Sequence, residues 1–520
     1  MWSTRIPLRH HQRFSRSALS EEVTDLGASQ LAKWVTLFAI TLTWVNGSVA
    51  QVMVSPEFTK EERQKRATDA ADLEMLLSPA QEPVPALRHR LWPSPEDRRP
   101  ASPMAMFHRA MMRSVEQRRR FDVQAHDALA ETPIVQLDSP EANEFVDSYC
   151  RYVVEELRRG ENLMRIDYDL NLQRESTAGV VSFLLPEIQE ARSLARRVAL
   201  SARLALAQGR HDDAVADLRV GFRLAQITGR STDFAVGRLV GFAITELMLG
   251  VVEEAIQIDG CPNLYWALAS LPIEELTETQ RAIEQESLWI RRVAGLSENL
   301  PDSAIGEHES RRLLKRFADD VEQIIPKPSG RSRLAQRQLI DFAAGIIVVG
   351  TSESAREYLA QETGWGEKAN QLSAPEAVLR TMQVKAQRLS NESEKWSYLP
   401  EDVAAQASDF DPRSIPASSH LDVLSELARV LQPAIKSVRK SSNRVQQVHH
   451  WLVTIEAIRM HASRYGTLPD TLETLRPVPA WLDPLTGEAF LYKKLSPSQA
   501  SLSRTGSSPV MLRMNPSSAD

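Results

Sequence analysis

Apolar positions recur along most of this chain at alternating steps of three and four residues, the period of an amphipathic helix. The clearest stretch runs from Leu184 to Gly209, where Leu184, Ile188, Ala191, Ala195, Val198, Ala202 and Ala205 form one stripe. A seam made mostly of alanine lets a partner helix approach closely. Gly209-Arg210-His211-Asp212-Asp213-Ala214 then turns the chain into a second helix, expected to end near Gln226. Phe234 to Ile258 is apolar nearly all round yet contains Arg238, Glu246, Glu253 and Glu254, the pattern of a core helix and not of a membrane span. Gly237 and Gly241, one turn apart, mark close helix packing there. Leu339 to Gly350, with its Ile346-Ile347-Val348-Val349 run, reads as a further buried element. A long helix is expected over Ser442 to Arg464, stopped by Gly466, a residue that takes the left-handed conformation without strain.

Between these elements the pattern breaks in identifiable ways. Thr59 to Leu77 reads as a short charged helix that packs weakly. Pro83, Pro85, Pro93, Pro95, Pro100 and Pro103 then exclude helix, so an extended linker or strap over the surface is expected until helical pattern resumes at Met104. Pro326 to Gly330 and Tyr398 to Ser419 read as loops. Near the C-terminus the period changes from helical to alternating. Asp483-Pro484 with Gly487 makes a turn that feeds a strand in which Phe490 and Tyr492 share one face, and a second strand is expected at Val510 to Met514. The organisation expected is therefore 1–50 as an export signal, 51–103 as charged helix and linker, 104–441 as a helical array and 442–520 as a helix-and-hairpin tail. The fold class is mainly α, an irregular, α-solenoid-like array closed by a small helix plus β-hairpin cap. Trp451, Ile455, Ile458, Phe490 and Tyr492 are the groups expected to dock that cap.

The export reading rests on Arg5, Arg9, Arg13, Arg16 and Lys33, a twelve-residue run from Trp34 to Val45, and a small-x-small site at Ser48-Val49-Ala50 that places cleavage between Ala50 and Gln51. Twelve helical residues reach only about 18 Å, against a bilayer core of about 30 Å. The alternative is an uncleaved anchor, the one route by which this chain would touch a membrane. Either way the body lies outside the cytoplasm, in the periplasm or cell envelope. Removing residues 1–50, with five Lys/Arg against Glu21, Glu22 and Asp25, takes the net charge from −6 to −8, which argues against a nucleic-acid partner. Only 6% of residues are aromatic, and Ala, Leu, Arg, Glu and Gln recur, a mixture that favours helix over sheet. The two cysteines, Cys150 and Cys261, could close a loop of about 110 residues in an oxidising compartment, or be two small buried thiols.

Candidate chemistry is sparse. His449, His450, Glu456 and His461 share the long C-terminal helix, but His449 to Glu456 spans two turns and His450 to His461 three, not the three- or four-residue spacing of helical metal ligands. No Gly-x-Ser-x-Gly elbow, phosphate loop or dinucleotide fingerprint occurs. The carboxylate pairs Asp212-Asp213, Glu253-Glu254 and Asp319-Asp320 are adjacent on helices, where neighbouring side chains diverge. No catalytic residue, metal or cofactor follows from the sequence.

Two segments resemble known families. The Leu184–Gln226 pair, with Gly209 at the turn and Ala214 at the small packing position, resembles a single tetratricopeptide-type hairpin; no next repeat follows about 34 residues on, so a regular solenoid is not implied. Arg464-Tyr465-Gly466-Thr467-Leu468-Pro469 followed by Asp483-Pro484-Leu485-Thr486-Gly487-Glu488-Ala489-Phe490-Leu491-Tyr492 resembles the globular tail of type II secretion pseudopilins, over about residues 445 to 515. The chain lacks their Gly-Phe-Thr-Leu-Ile-Glu start, so assembly into a pseudopilus is not implied. Nor is the calcium of some such tails, since Asp483 is followed by Glu488 and then Lys493 and Lys494. Pro262 to Leu268 is similar to a segment of large exported bacterial helical proteins carrying this tail, which implies architecture and no activity. The expectation is an exported, non-enzymatic helical scaffold or protein-binding protein with an envelope protein as partner. The alternatives are an envelope hydrolase with a site assembled from distant helices, and an accessory subunit of a secretion or pilus-like machine.

Overall fold

The computed structural model describes residues 74–118, 128–166, 177–232, 234–293, 300–324, 333–399 and 423–515. The export segment with its Ala50–Gln51 site, most of the expected charged helix, and the loops at 326–330 and 400–419 lie outside the described residues. The protein is mainly helical with a small sheet near its C-terminus.

The Ala-rich stripe folds as expected. Helices α1 (Met104–Arg118), α2 (Ile134–Leu137), α3 (Pro140–Phe145) and α4 (Arg151–Gly160) precede the long α5 (Thr177–Ala207), which turns into α6 (His211–Ser231). Ile188, Ala191, Ala195, Val198, Ala202 and Ala205 are all buried. Gly209, at φ +70°, closes α5: its N–H donates to the Leu206 carbonyl at 3.0 Å and the Arg210 N–H to that of Ala205 at 2.8 Å, the paired bonds of a Schellman motif. Helix α6 outlasts the expected Gln226 by five residues, because Ile227 and Thr228 are still buried and keep the apolar stripe in contact with the next helix.

That next helix, α7 (Ala235–Ile256), is the centre of the molecule and packs on α5, α6 and the long C-terminal helix. Although it is long and apolar enough to cross a bilayer, 72% of its most apolar window is buried inside the protein. Its glycines permit the close approach that the sequence suggested. A Cβ at Gly241 would lie 2.9 Å from both the Ala225 carbonyl oxygen and the Gly229 Cα, and one at Gly237 would lie 2.3 Å from Thr232 Oγ1.

Beyond α7 come α8 (Tyr265–Ala269), α9 (Ile273–Thr277), α10 (Gln280–Val293), α11 (Glu307–Ile324), α12 (Arg333–Glu362) and α13 (Ala374–Glu394). The Leu339–Gly350 run, expected to be buried, lies within α12 with Val348 half-buried and Val349 75% exposed. Among the described side chains of this helix, Ala355 and Leu359 are buried, and they pack on Ala369, Leu372, Ala377 and Val378.

Helix α14 (Val423–Tyr465) begins well before the expected Ser442 and is stopped by Gly466 at φ +71°. The sheet after it is larger than the expected hairpin. Strands β2 (Leu491–Ser496), β3 (Gln499–Ser503) and β4 (Val510–Met514) are antiparallel neighbours, and β1 (Glu74–Leu77) pairs with β4 in parallel, in the order β1-β4-β3-β2. Strand β1 is the end of the stretch expected to be a weakly packing helix. Its burial instead alternates, with Met75 and Leu77 buried, because Leu77 and Met75 fill the inner face of the sheet. Strand β3 was not foreseen, since its Gln499-Ala500-Ser501-Leu502-Ser503 carries only two apolar side chains, both buried.

Helices α1, α4 to α9 and α14 share one apolar cluster with the C-terminal sheet. It runs from Met75, Leu91 and Trp92 through the α5, α6 and α7 stripes to Trp451, Ile455, Ile458, Phe490 and Leu512, with Tyr492 packed against it. The boundary expected at 441/442 therefore does not separate two cores. The Pro-rich strap is likewise not merely superficial: Leu91 and Trp92 are buried, and the Arg223 guanidinium lies 5.0 Å from the Trp92 ring.

Candidate functional site

Three chain segments meet above the α5–α6 turn. Arg88 and His89 come from the strap, Gly209 to Asp213 from the turn and first turn of α6, and Gly260 and Pro262 from the loop after α7; together they line a cleft of about 450 Å³. This is within the range of small-molecule sites. The positions are set locally. Gly209 must adopt positive φ to end α5, and Gly260, at φ +76°, turns the chain back so that its backbone lies against His211. Asp212 and Asp213 stand in the first turn of α6, where a carboxylate is favoured by the helix dipole.

Asp212 ties the strap to this helix. Its Oδ2 accepts from Arg88 Nη2 at 3.0 Å, and its Oδ1 lies 3.4 Å from Nδ1 of His89, whose side chain is almost fully buried. Arg210 pairs with Asp213 at 2.5 Å. The two guanidiniums of the lining thus face two carboxylates, and their charges cancel. Burial lowers the pKa of His89; Asp212 opposes this and the Arg88 charge reinforces it. Burial also lowers His211, opposed by Asp212. Both imidazoles are therefore neutral near pH 7, each offering one donor and one acceptor. His211 Nδ1 is buried without a hydrogen-bond partner. The cleft can hold hydrogen-bonding groups that carry no net charge.

Of the carboxylate and histidine groups weighed for chemistry in the sequence, Asp212 and Asp213 enter this cleft, as exposed members of ion pairs. His89 carried no sequence signal: a lone histidine in a Pro-rich segment acquires its partner 123 positions away. The four groups on α14 do not converge. His449 Nε2 donates to the Leu268 carbonyl at 3.0 Å, and full burial pushes its pKa down to about 4. His450 Nδ1 lies 2.8 Å from the Leu482 carbonyl, and His461 stacks near Tyr465. Glu456 accepts both oxygens' bonds from Arg459 Nη1 at 2.9 Å, both side chains being fully buried, while Arg459 also donates to the carbonyls of Ser78 at 2.7 Å and Cys261 at 3.0 Å. This pair is a clamp between strap, loop and helix. Among the described residues no group of three or more His, Cys, Asp or Glu is placed to hold a metal ion.

Asp483 is buried and joins its own loop to α14 and the β3–β4 loop: it accepts from Leu485 N at 3.0 Å, Gln447 Nε2 at 2.9 Å and Thr505 N at 3.2 Å. Cys150 and Cys261 are free, buried thiols in different clusters, and burial pushes both pKa values up to about 12, so neither is a ready thiolate. Compared with models of protein families, with curated protein sequences and with solved structures, the chain has no match.

Proposed function

We propose that this is an exported, non-enzymatic helical binding protein of the cell envelope that takes a small, uncharged, polar ligand in the cleft between the strap and the α5–α6 turn. The observation that carries this reading is the lining itself: His89 and His211 beside arginines already paired with Asp212 and Asp213. Hydroxyl or amide groups suit such a lining, whereas a charged ligand would meet no unbalanced counter-charge there. Export is supported by the basic leader, the short apolar run and Ser48-Val49-Ala50. We further infer that the helices form an irregular solenoid-like array and that α14 with the sheet closes one end as a pseudopilin-like cap. The core shared by cap and array favours a structural role for the cap over recruitment of a secretion partner by an independent tail.

Native mass spectrometry of protein isolated from its own envelope tests the reading. A small-molecule adduct is expected on the unaltered protein and not on His89→Ala. The reading fails if neither carries one and no saturable binding is found across a panel of sugars, polyols and amides.

One observation favours hydrolysis as a second reading. The His89–Asp212 contact is the arrangement that orients an imidazole to take a proton from water. Turnover of fluorogenic esters or glycosides, abolished in His89→Ala and retained in Arg210→Gln, would decide for it.

A further inference from the structure

The cleft above the α5–α6 turn holds two imidazoles, and every other charge in its lining is matched. Arg88 is held by Asp212 and Arg210 by Asp213, so two guanidiniums meet two carboxylates. The remaining lining groups are His89, His211, Gly209, Gly260 and Pro262. Histidine is the side chain whose charge changes between pH 5 and 8. Protonation of His89 and His211 therefore adds two positive charges to a balanced lining and brings no new carboxylate with them.

The charged groups around these imidazoles come from each segment that meets here. The strap contributes Arg88. Helix α6 contributes Asp212, whose oxygens already serve Arg88 at 3.0 Å and lie 3.4 Å from His89, and Asp213, which is taken by Arg210. At the end of α5 the uncharged Gln208 accepts from Arg210 Nε at 2.9 Å. The loop after α7 lines the cleft with Gly260 and Pro262, and the neighbouring Asp259 accepts from Asn515 Nδ2 at 2.9 Å. Burial opposes the proton on His89; Asp212 favours it, and Arg88 and His211 add to the opposition. Burial also opposes the proton on His211, with Asp212 favouring it. One carboxylate is thus shared by a guanidinium and both imidazoles, and the two imidazoles, once charged, repel each other. An anion placed against them relieves that repulsion and supplies the missing counter-charge. The hydrogen bonding agrees: an imidazolium offers two donors and no acceptor, which suits a ligand whose oxygens only accept.

We propose that this cleft is a proton-gated anion site, which has no unmatched charge for an oxyanion while His89 and His211 are neutral and binds a small one, of the sulfate or phosphate-ester class, when both are protonated. The proposal rests on the cleft being a ligand site and adds that acid changes which ligand it takes. Because the bound state holds the protons, affinity rises as pH falls, by about tenfold per pH unit for each required proton above its pKa.

Isothermal titration of the full mature chain with sulfate, which keeps its charge from pH 8 to 5.5, tests this, with folding followed at each pH by circular dichroism. Sulfate is expected to bind at least about tenfold more tightly at pH 5.5 than at pH 8. Titration at pH 6.5 in two buffers of different ionisation heat should show protons taken up on binding. His211→Gln, at a half-buried position, should reduce that uptake, and His89→Gln combined with His211→Gln should abolish it and hold the affinity at its pH 8 level throughout. Displacement of sulfate by glycerol phosphate would assign a soluble ligand. Co-flotation with phosphatidylglycerol vesicles at pH 5.5 and not at pH 8, lost in the double variant, would assign the same chemistry to a headgroup. No sulfate binding at any pH, equal affinity at pH 8 and 5.5, or proton uptake unchanged in the double variant would overturn the proposal. The envelope adduct lost in His89→Ala reports on the ligand site and the proton uptake on its gate, so the two readings fail separately.

Discussion

The contact between α6 and α7 makes a sharp prediction, because three glycines of similar backbone conformation face different surroundings. Gly229, Gly241 and Gly250 are all inside helices, so replacement by alanine gains about 1 kcal/mol of helix propensity at each. At Gly241 the added methyl would lie 2.9 Å from the Ala225 carbonyl oxygen and from the Gly229 Cα. Both are backbone atoms and cannot rotate away, so the helices must separate. Overpacking of this kind costs about 1 to 3 kcal/mol, and contact with rigid backbone on two sides places this site in the upper half of that range. The net effect of Gly241→Ala is a loss of about 1 to 2 kcal/mol. At Gly250 nothing lies within 4 Å, so the propensity gain stands alone, and at Gly229 the nearest atoms, at 3.8 to 4.0 Å, are in ordinary contact. Urea unfolding followed by circular dichroism should rank the midpoints Gly250→Ala above the unaltered protein and Gly241→Ala below it. A Gly241→Ala protein as stable as Gly250→Ala would show that the α6–α7 backbones do not touch.

Other perturbations test the rest of the framework. Arg459→Met leaves the fully buried Glu456 without its partner and should destabilise by about 3 to 5 kcal/mol, whereas Glu456→Gln with Arg459→Met together should recover much of the loss; equal losses in both would refute the clamp. His449 has a folded-state pKa near 4 against about 6.5 unfolded, so below pH 6.5 the unfolded chain binds a proton that the folded one refuses. Stability should therefore fall as pH drops from about 6.5 to 4, by up to about 3 kcal/mol from this residue, and His449→Gln should flatten that part of the melting profile. A chain beginning at Ser78, lacking β1, should melt lower than one beginning at Asp72, because it loses buried Met75 and Leu77 and the bond from Asn515 N to the Leu77 carbonyl at 2.9 Å; unchanged melting would mean that β1 is dispensable. Ala202→Leu, at a fully buried seam position, should cost about 1 to 3 kcal/mol by overpacking. Gln208, just past the end of α5, should also be sensitive to substitution, since its Nε2 donates to Asp138 at 2.9 Å and Asn143 at 2.7 Å.

By itself the sequence determined whatever depends on near neighbours in the chain. The three- and four-residue spacing of alanine and leucine in α5, the positive φ available to Gly209 and Gly466, and the small residues of α7 are local properties, and each appears in the structure where the pattern placed it. Strands were less legible. A four-residue stretch such as β1 is stabilised by pairing with a segment more than 430 positions away, and nothing within Glu74–Leu77 announces that partner. At Val349 the apolar run misled for the same reason: hydrophobicity says what burial would gain, not whether another surface arrives to provide it. The closure of the cleft belongs to the tertiary structure, which brings the strap to the α5–α6 turn. His89 meets Asp212 because the strap is pinned by Trp92, and Glu190 meets Arg118 because α1 packs against α5. Side chains that interact across such distances in sequence leave no periodic trace, so only the packing of the helices decides which charges are paired.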